Sequence, residues 1–176
     1  HPEPAQHRRC SPGTGALSGD WAPRACLRRA GFEALRWTAV EYSHVSARIL
    51  AAVRPDISVL EGPFERWIAQ NELAMRGKLG LVVSNPPYGI RGASLTEDPN
   101  KGYREKKAYA YFLRRALDLL AAGGIGVFLV PYGFLTGKAS ALVALRERVL
   151  KRHHLMAAFR LPSRLFPGAN LVTDLL

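Results

Sequence analysis

The stretch LGLVVSNPPYGIRG, from Leu79 to Gly92, sets an asparagine, two prolines and a tyrosine directly after an apolar run. The run reads as a short buried strand, and proline cannot extend its ladder because it lacks the donor N–H. Asn85 therefore stands where the strand stops, with its amide directed out of the sheet end. The tandem prolines stiffen the turn behind it. The chemistry such a set can perform concerns an amino group conjugated to a ring, which is a poor nucleophile because its lone pair is delocalised. Two acceptors placed at its hydrogens favour a more tetrahedral nitrogen and free that pair. Asn85 offers a side-chain carbonyl and Pro86 a backbone carbonyl fixed by a rigid turn. Tyr88 offers a flat face for stacking. Orientation and electrostatic placement carry a reaction of this kind, and it requires no metal.

The elements that position these residues alternate. RWTAVE (Arg36 to Glu41) predicts a strand ending in an acid. Ser43 then caps a helix with apolar residues Val45, Ile49, Leu50 and Val53 at helical spacing, ended by Pro55. ISVL (Ile57 to Leu60) is a second strand, and FERWIAQNELAMRG a helix closed by Gly77. After the motif, the polar segment Ile90 to Glu105 predicts a loop longer than most connections, which marks functional or mobile segments. KKAYAYFLRRALDLLAA predicts a helix stopped by Gly123 and Gly124. The strand IGVFLV comes next, ended by Pro131, then a helix from about Ser140 to Arg152 and strands at LMAAFRL and LVTDLL. Strands separated by helices imply crossover connections and a mostly parallel sheet. Ligands of such sheets bind beyond the carboxyl ends of the strands, which puts Glu41, the EGPF segment and NPPY along one edge.

Composition narrows the class. The chain has 176 residues, 48% of them hydrophobic, enough for a single domain with a sizeable core. No apolar run approaches the roughly 20 residues of a membrane span. The two cysteines, Cys10 and Cys26, form neither a disulfide framework nor a metal-site spacing, so a reducing, cytoplasmic setting is the default. The net charge of +11 fits a polyanionic partner as well as it fits solvated faces. Lys101 to Lys107 carries four cations beside the motif loop. His1 in place of Met, and a last strand pattern that stops short, predict a piece cut at both ends.

NPPY after an apolar strand resembles the signature of amino-group methyltransferases. The wider pattern resembles the adenine-N6 DNA methyltransferases: YAYFLRRALDLLAAGGIGVFLVPYGFLTG is similar to the helix, glycine turn, strand and proline that come after the motif in that family, and FRLPSRLFPGANLVTDLL to its later segment. The resemblance covers most of the chain from Thr38 onward. It implies a Rossmann-like α/β fold, mostly parallel with helices on both faces and an antiparallel strand near the C-terminal end. It also implies transfer of a methyl group from S-adenosylmethionine to the N6 amine of an adenine flipped out of DNA. The implied setting is restriction-modification, with further domains of a larger polypeptide or a target-recognition subunit as partners. In this resemblance Asn85, Pro86 and Tyr88 act on the base and Phe166 stacks on its other face. Gly13 and Gly15 of SPGTGAL approach the amino-acid part of the cofactor, Glu41 accepts from its ribose hydroxyls, and Phe64 packs on its adenine.

The sequence also departs from that family. AQHRRC precedes the glycine loop where the family has an apolar strand and an acid, and Pro63 stands where an Asp often precedes the aromatic, with Glu61 shifted from that place. Residues 1–35 are expected to be degraded or poorly ordered. Two alternatives therefore accompany the reading. One is methylation of an RNA base or a protein glutamine amide by the same motif. The other is a non-catalytic nucleic-acid-binding remnant of such an enzyme.

Overall fold

The computed structural model describes residues 36–89, 97–163 and 172–176. Strand β1 (Trp37–Glu41) leads into helix α1 (His44–Val53), strand β2 (Ile57–Glu61), helix α2 (Phe64–Met75) and strand β3 (Leu79–Ser84). A 3₁₀ turn at Lys101–Tyr103 precedes helix α3 (Ala108–Leu117) and the long strand β4 (Leu120–Pro131). Helices α4 (Gly133–Thr136) and α5 (Ser140–Leu150) and strands β5 (Phe159–Arg160) and β6 (Thr173–Leu175) complete the order. Among the described residues, β1 and β2 form a parallel pair, and a second sheet runs β3-β4-β6-β5. β3 and β4 are parallel, whereas β6 runs antiparallel to both of its neighbours. The single reversed strand near the C-terminal end is as the sequence predicts. No described helix is long and apolar enough to cross a membrane.

Local signals account for most boundaries. Ser43 Oγ accepts from the Ser46 N–H at 3.3 Å at the start of α1. Gly77, beyond the end of α2, takes φ +67°, a conformation that glycine adopts without a Cβ penalty. The buried face of α1 differs from the periodic reading. Ala47 and Leu50 face the core, while Val45, Ile49 and Val53 are exposed. Val, Ile and Leu mark a wide apolar stripe, and the small Ala47 lets the helix sit closest to the sheet on one side of it.

The larger correction concerns the region before the two glycines. The helix expected to continue to Ala122 ends at Leu117, and the strand expected from Ile125 begins at Leu120. Backbone pairing overrides helix propensity there: Gly77 N–H donates to Asp118 O at 3.1 Å, and the N–H groups of Lys78 and Leu79 donate to Leu119 O at 2.9 and 2.8 Å. The extra residues are absorbed in a register shift opposite Leu79 and Leu81, with Gly123 at φ +77°. A Cβ on Gly124 would lie 2.8 Å from Leu79 O. The glycines thus shape a bulge inside β4 instead of closing a helix. The expected LMAAFRL strand is also shorter, confined to Phe159–Arg160.

The main core lies between α3 and β4 and is built from Tyr109, Leu113, Leu117, Phe128, Val130 and Phe134. Beside it sits a buried ionic cluster. Arg115, 1% exposed, forks onto Asp98 with both hydrogen bonds at 2.6 Å and reaches Glu72 of α2 at 2.8 Å. The Tyr111 hydroxyl donates to the same Asp98 carboxylate at 2.7 Å, and the guanidinium lies 3.8 Å from the centre of the Tyr103 ring. Tyr103 in turn donates to Asp118. Burial pushes the Asp98 carboxyl up, but the hydrogen bonds from Arg115, Tyr111 and the Asn100 N–H outweigh it and hold it below the usual range.

Removing one partner of such a pair strands the other in the interior, at a cost of about 3–5 kcal/mol. Asp98→Ala, which leaves Arg115 only Glu72, is expected to lose about 3 kcal/mol in urea unfolding with an unchanged slope. Because Asp98 is depressed in the folded state, its stabilisation is complete above its unfolded value near 4 and disappears as pH falls through the lower folded value. The gap in stability between wild type and Asp98→Ala should therefore narrow below about pH 4.

Candidate active site

β3 delivers the motif. Its last residue, Ser84, pairs in parallel register with the buried Phe128 of β4, so the strand end rests against the centre of the core. The chain then leaves the sheet. Asn85 is exposed, Pro86 buried, and Tyr88 half-buried against the core cluster of α3 and β4. The Tyr88 hydroxyl donates to Asn85 Oδ1 at 3.1 Å. Burial raises the Tyr88 phenol above its ordinary value, so the hydroxyl remains a donor throughout the neutral range. A carbonyl oxygen has two lone pairs, so the bond from Tyr88 leaves Asn85 Oδ1 the capacity to accept once more. No described residue donates to the Pro86 carbonyl. Of the two acceptors anticipated at the strand end, one thus belongs to the exposed Asn85, held by Tyr88, and the other to the buried Pro86. The exit of the motif is fastened too: Gly89 O accepts from the Ala108 N–H at 3.2 Å, tying the loop to the start of α3.

A second set lies at the ends of β1 and β2. The parallel register pairs Glu41 with Glu61, so two carboxylates stand side by side at adjacent strand ends. Glu41 Oε1 accepts from the Ser43 N–H at 2.9 Å, and Glu41 O accepts from the Gly62 N–H at 2.9 Å. Glu61 Oε2 lies 2.8 Å from His44 Nδ1. Gly62 takes φ +134°, and a Cβ there would meet nothing within 4 Å, so backbone conformation requires the glycine and the space above it is open. A cavity of about 150 Å³ opens beside Glu61, lined by Val40, Leu60, Glu61, Gly62, Arg66 and Trp67 among others, with Glu41 outside its lining.

Phe64 begins α2 immediately after these acids. Its ring packs on Phe112 at 5.1 Å, Trp67 at 5.9 Å and Tyr111 at 6.5 Å. The structure thus brings Phe64 into an aromatic cluster and places Trp67 on the cavity wall. Trp67 is the residue that the sequence reading passes over, although it follows Phe64 by three residues and so shares its helix face. Gly13, Gly15 and Phe166 lie outside the described residues, as do the 1–35 segment and residues 90–96.

Comparison with known proteins gives this arrangement a class. The fold aligns with a protein described as a type I restriction-enzyme modification subunit from Vibrio vulnificus YJ016, at TM-score 0.62 and 17% identity over 78% of this chain and 31% of that one. It aligns equally with a protein described as a class I S-adenosylmethionine-dependent methyltransferase from Listeria monocytogenes, at TM-score 0.62 and 20% identity, covering 85% of this chain and 46% of the other. The fold is the Rossmann-like methyltransferase fold. The family model of the Eco57I restriction-modification methylase matches residues 38–166, and the chain belongs to that family. S-adenosylmethionine is the cofactor of the family. A curated relative, the defense against restriction protein B of Escherichia phage P1, is 33% identical over 140 residues, or 78% of this chain. The chain spans only 6% of that relative's length.

The burial of Tyr88 has a spectroscopic consequence. In a difference titration of wild type against Tyr88→Phe, followed by tyrosinate absorbance, the Tyr88 component should appear above pH 10, the ordinary value for a phenol. Titration at or below that value would mean that the ring is solvated.

Proposed function

We propose that this chain is the catalytic domain of an enzyme that methylates the N6 amine of adenine in DNA. The observation that carries the reading is the hydrogen bond at the end of β3 by which the Tyr88 hydroxyl orients Oδ1 of the exposed Asn85, next to the carbonyl of Pro86. In this mechanism each acceptor takes one hydrogen of the amine, and the nitrogen lone pair turns out of conjugation. S-adenosylmethionine, when bound, supplies an electrophilic methyl group whose carbon–sulfur electrons remain with sulfur. The nitrogen forms the new bond to carbon, and its surplus proton passes to water. Tyr88, half-buried and fixed at its hydroxyl, presents its face to the extruded base. Phe166 is assigned to the opposite face.

For the cofactor, Glu41 accepts from the ribose hydroxyls, with Glu61 beside it in register as a second acceptor. Gly13 and Gly15 let the backbone approach the amino-acid portion, and Phe64, half-buried, borders the adenine with Trp67. The partner of the domain is duplex DNA, and the domain works within a longer polypeptide that supplies target recognition.

Incorporation of labelled methyl groups from S-adenosylmethionine into duplex DNA tests the chemistry. Asn85→Ala removes one positioned acceptor and should lower turnover by about 100- to 1000-fold while leaving the fold intact. Tyr88→Phe keeps the stacking face but releases the amide, and should lose about 1 kcal/mol, the scale of one neutral hydrogen bond. Tyr88→Ala also loses stacking worth about 1–3 kcal/mol, a deficit that should shrink for a mispaired adenine. Near-normal turnover by folded Asn85→Ala would refute the mechanism, and methylation of RNA or of a glutamine peptide in place of DNA would reassign the substrate.

The cofactor side is read separately by calorimetry. Glu41→Gln should weaken S-adenosylmethionine binding by about 1–3 kcal/mol. Absence of any binding by the wild-type protein would favour a non-catalytic remnant.

A further inference from the structure

The charged side chains of residues 97–107, EDPNKGYREKK, divide into two sets by ion pairing. All three acids are taken up by arginines from elsewhere in the fold. Glu97 pairs with Arg66 at 2.9 Å, the buried Asp98 with Arg115 at 2.6 Å, and Glu105 with Arg114 and Arg148 at 2.8 and 3.0 Å. The four cations, Lys101, Arg104, Lys106 and Lys107, are exposed, and none has an ion-pair partner among the described residues. By contrast, eight arginines elsewhere in the described chain, Arg54, Arg66, Arg76, Arg114, Arg115, Arg148, Arg152 and Arg160, are paired with carboxylates.

The backbone of the segment is also held. Asn100 accepts from the Gly102 N–H at 3.0 Å, Tyr103 is buried under two guanidinium groups, and Ala108 is bonded to Gly89 of the motif loop. The acids of the segment are neutralised, Asp98 in the interior and Glu97 at the surface, whereas the four exposed cations are not, and the frame that carries them ends one residue from the motif's own anchor. A merely solvated charge run requires no such anchoring of its acids.

We propose that Lys101, Arg104, Lys106 and Lys107 form a cationic strap that grips the phosphates flanking the target base and sets the duplex against the NPPY motif. The inference rests on the reading of DNA as substrate. Each phosphate neutralised by a cation releases condensed counterions, so the slope of log binding constant against log salt falls by about 0.9 per contact. The strap is fixed before DNA arrives, so its contribution requires no cofactor.

The test is fluorescence anisotropy of a labelled mixed-sequence duplex, titrated with protein between about 50 and 200 mM salt. The strap variant Lys101→Gln, Arg104→Gln, Lys106→Gln, Lys107→Gln is compared with wild type. A charge-matched control replaces Arg48, Lys78, Lys138 and Lys151, four other exposed cations, with Gln. The strap variant should lose about 3 to 4 in salt slope, the control less than 1, and an all-Arg strap should retain the wild-type slope. Equal slopes in strap variant and wild type, or equal losses in strap variant and control, would overturn the strap. If wild type still methylates DNA under either result, the reading of the active site survives without it. A strap-dependent slope in a wild-type protein that incorporates no methyl groups would uphold the strap and overturn the methyl-transfer reading. Failure of wild type to bind the duplex at the lowest salt would overturn both.

Discussion

The fork between Arg115 and Asp98 is the contact on which the remainder of the described structure converges. Arg115 belongs to α3, Asp98 to the segment that returns from the motif, and Glu72, its other partner, to α2. Three stretches separated in sequence meet at one guanidinium with almost no access to water. An unpaired charge in that position would be intolerable in the interior, so the three stretches can exchange places with nothing else. The aromatic rings gather around the same node: Tyr111 donates to Asp98, Tyr103 lies against the guanidinium, and Phe64 packs edge-on to Tyr111. The ends of α2 thereby connect two functions. Its first residue follows the acids of β1 and β2, and its last turns join the helix that carries the motif's anchor.

Much of this was legible because it depends on local chemistry. A strand that ends at Ser84, prolines that cannot continue it, and a serine that caps α1 are written within a few residues of where they act. The acids at the ends of β1 and β2 could be located as soon as the strands were. What local pattern could not convey is which residues meet across the sheet. The LDLLAA run has good helical propensity, yet the N–H groups of Lys78 and Leu79 claim Leu119 O and draw the chain into β4 early. Likewise Arg115 looks, in sequence, like any arginine on an amphipathic helix. Its burial is decided by Asp98 and Glu72, which lie 17 and 43 residues away in the sequence.

The site itself was half visible. The types and order of Asn85, Pro86 and Tyr88 carried the chemistry, but the hydroxyl of Tyr88 appeared in the sequence only as an ornament on a stacking ring. The structure gives it a partner, Asn85 Oδ1, and so ties the tyrosine to the direction of the amide. The acids of residues 97–107 likewise appear from composition to offset the cations beside them, and only the ion pairs show that they are already occupied.

Gly124 brings out a different property of the molecule. With no side chain there, Leu79 O at the entrance of β3 can approach to a distance that a methyl group would not permit. A strand advances about 3.3 Å per residue, so Asn85 lies roughly 20 Å downstream of that contact on a stiff rod. A small sideways step at the near end becomes a misalignment at the far end, as a rifle barrel shifted at its breech throws the muzzle off target. The hydrogen atom at position 124 thus acts as a sighting mark for where Asn85 comes to stand at the opposite end of the strand.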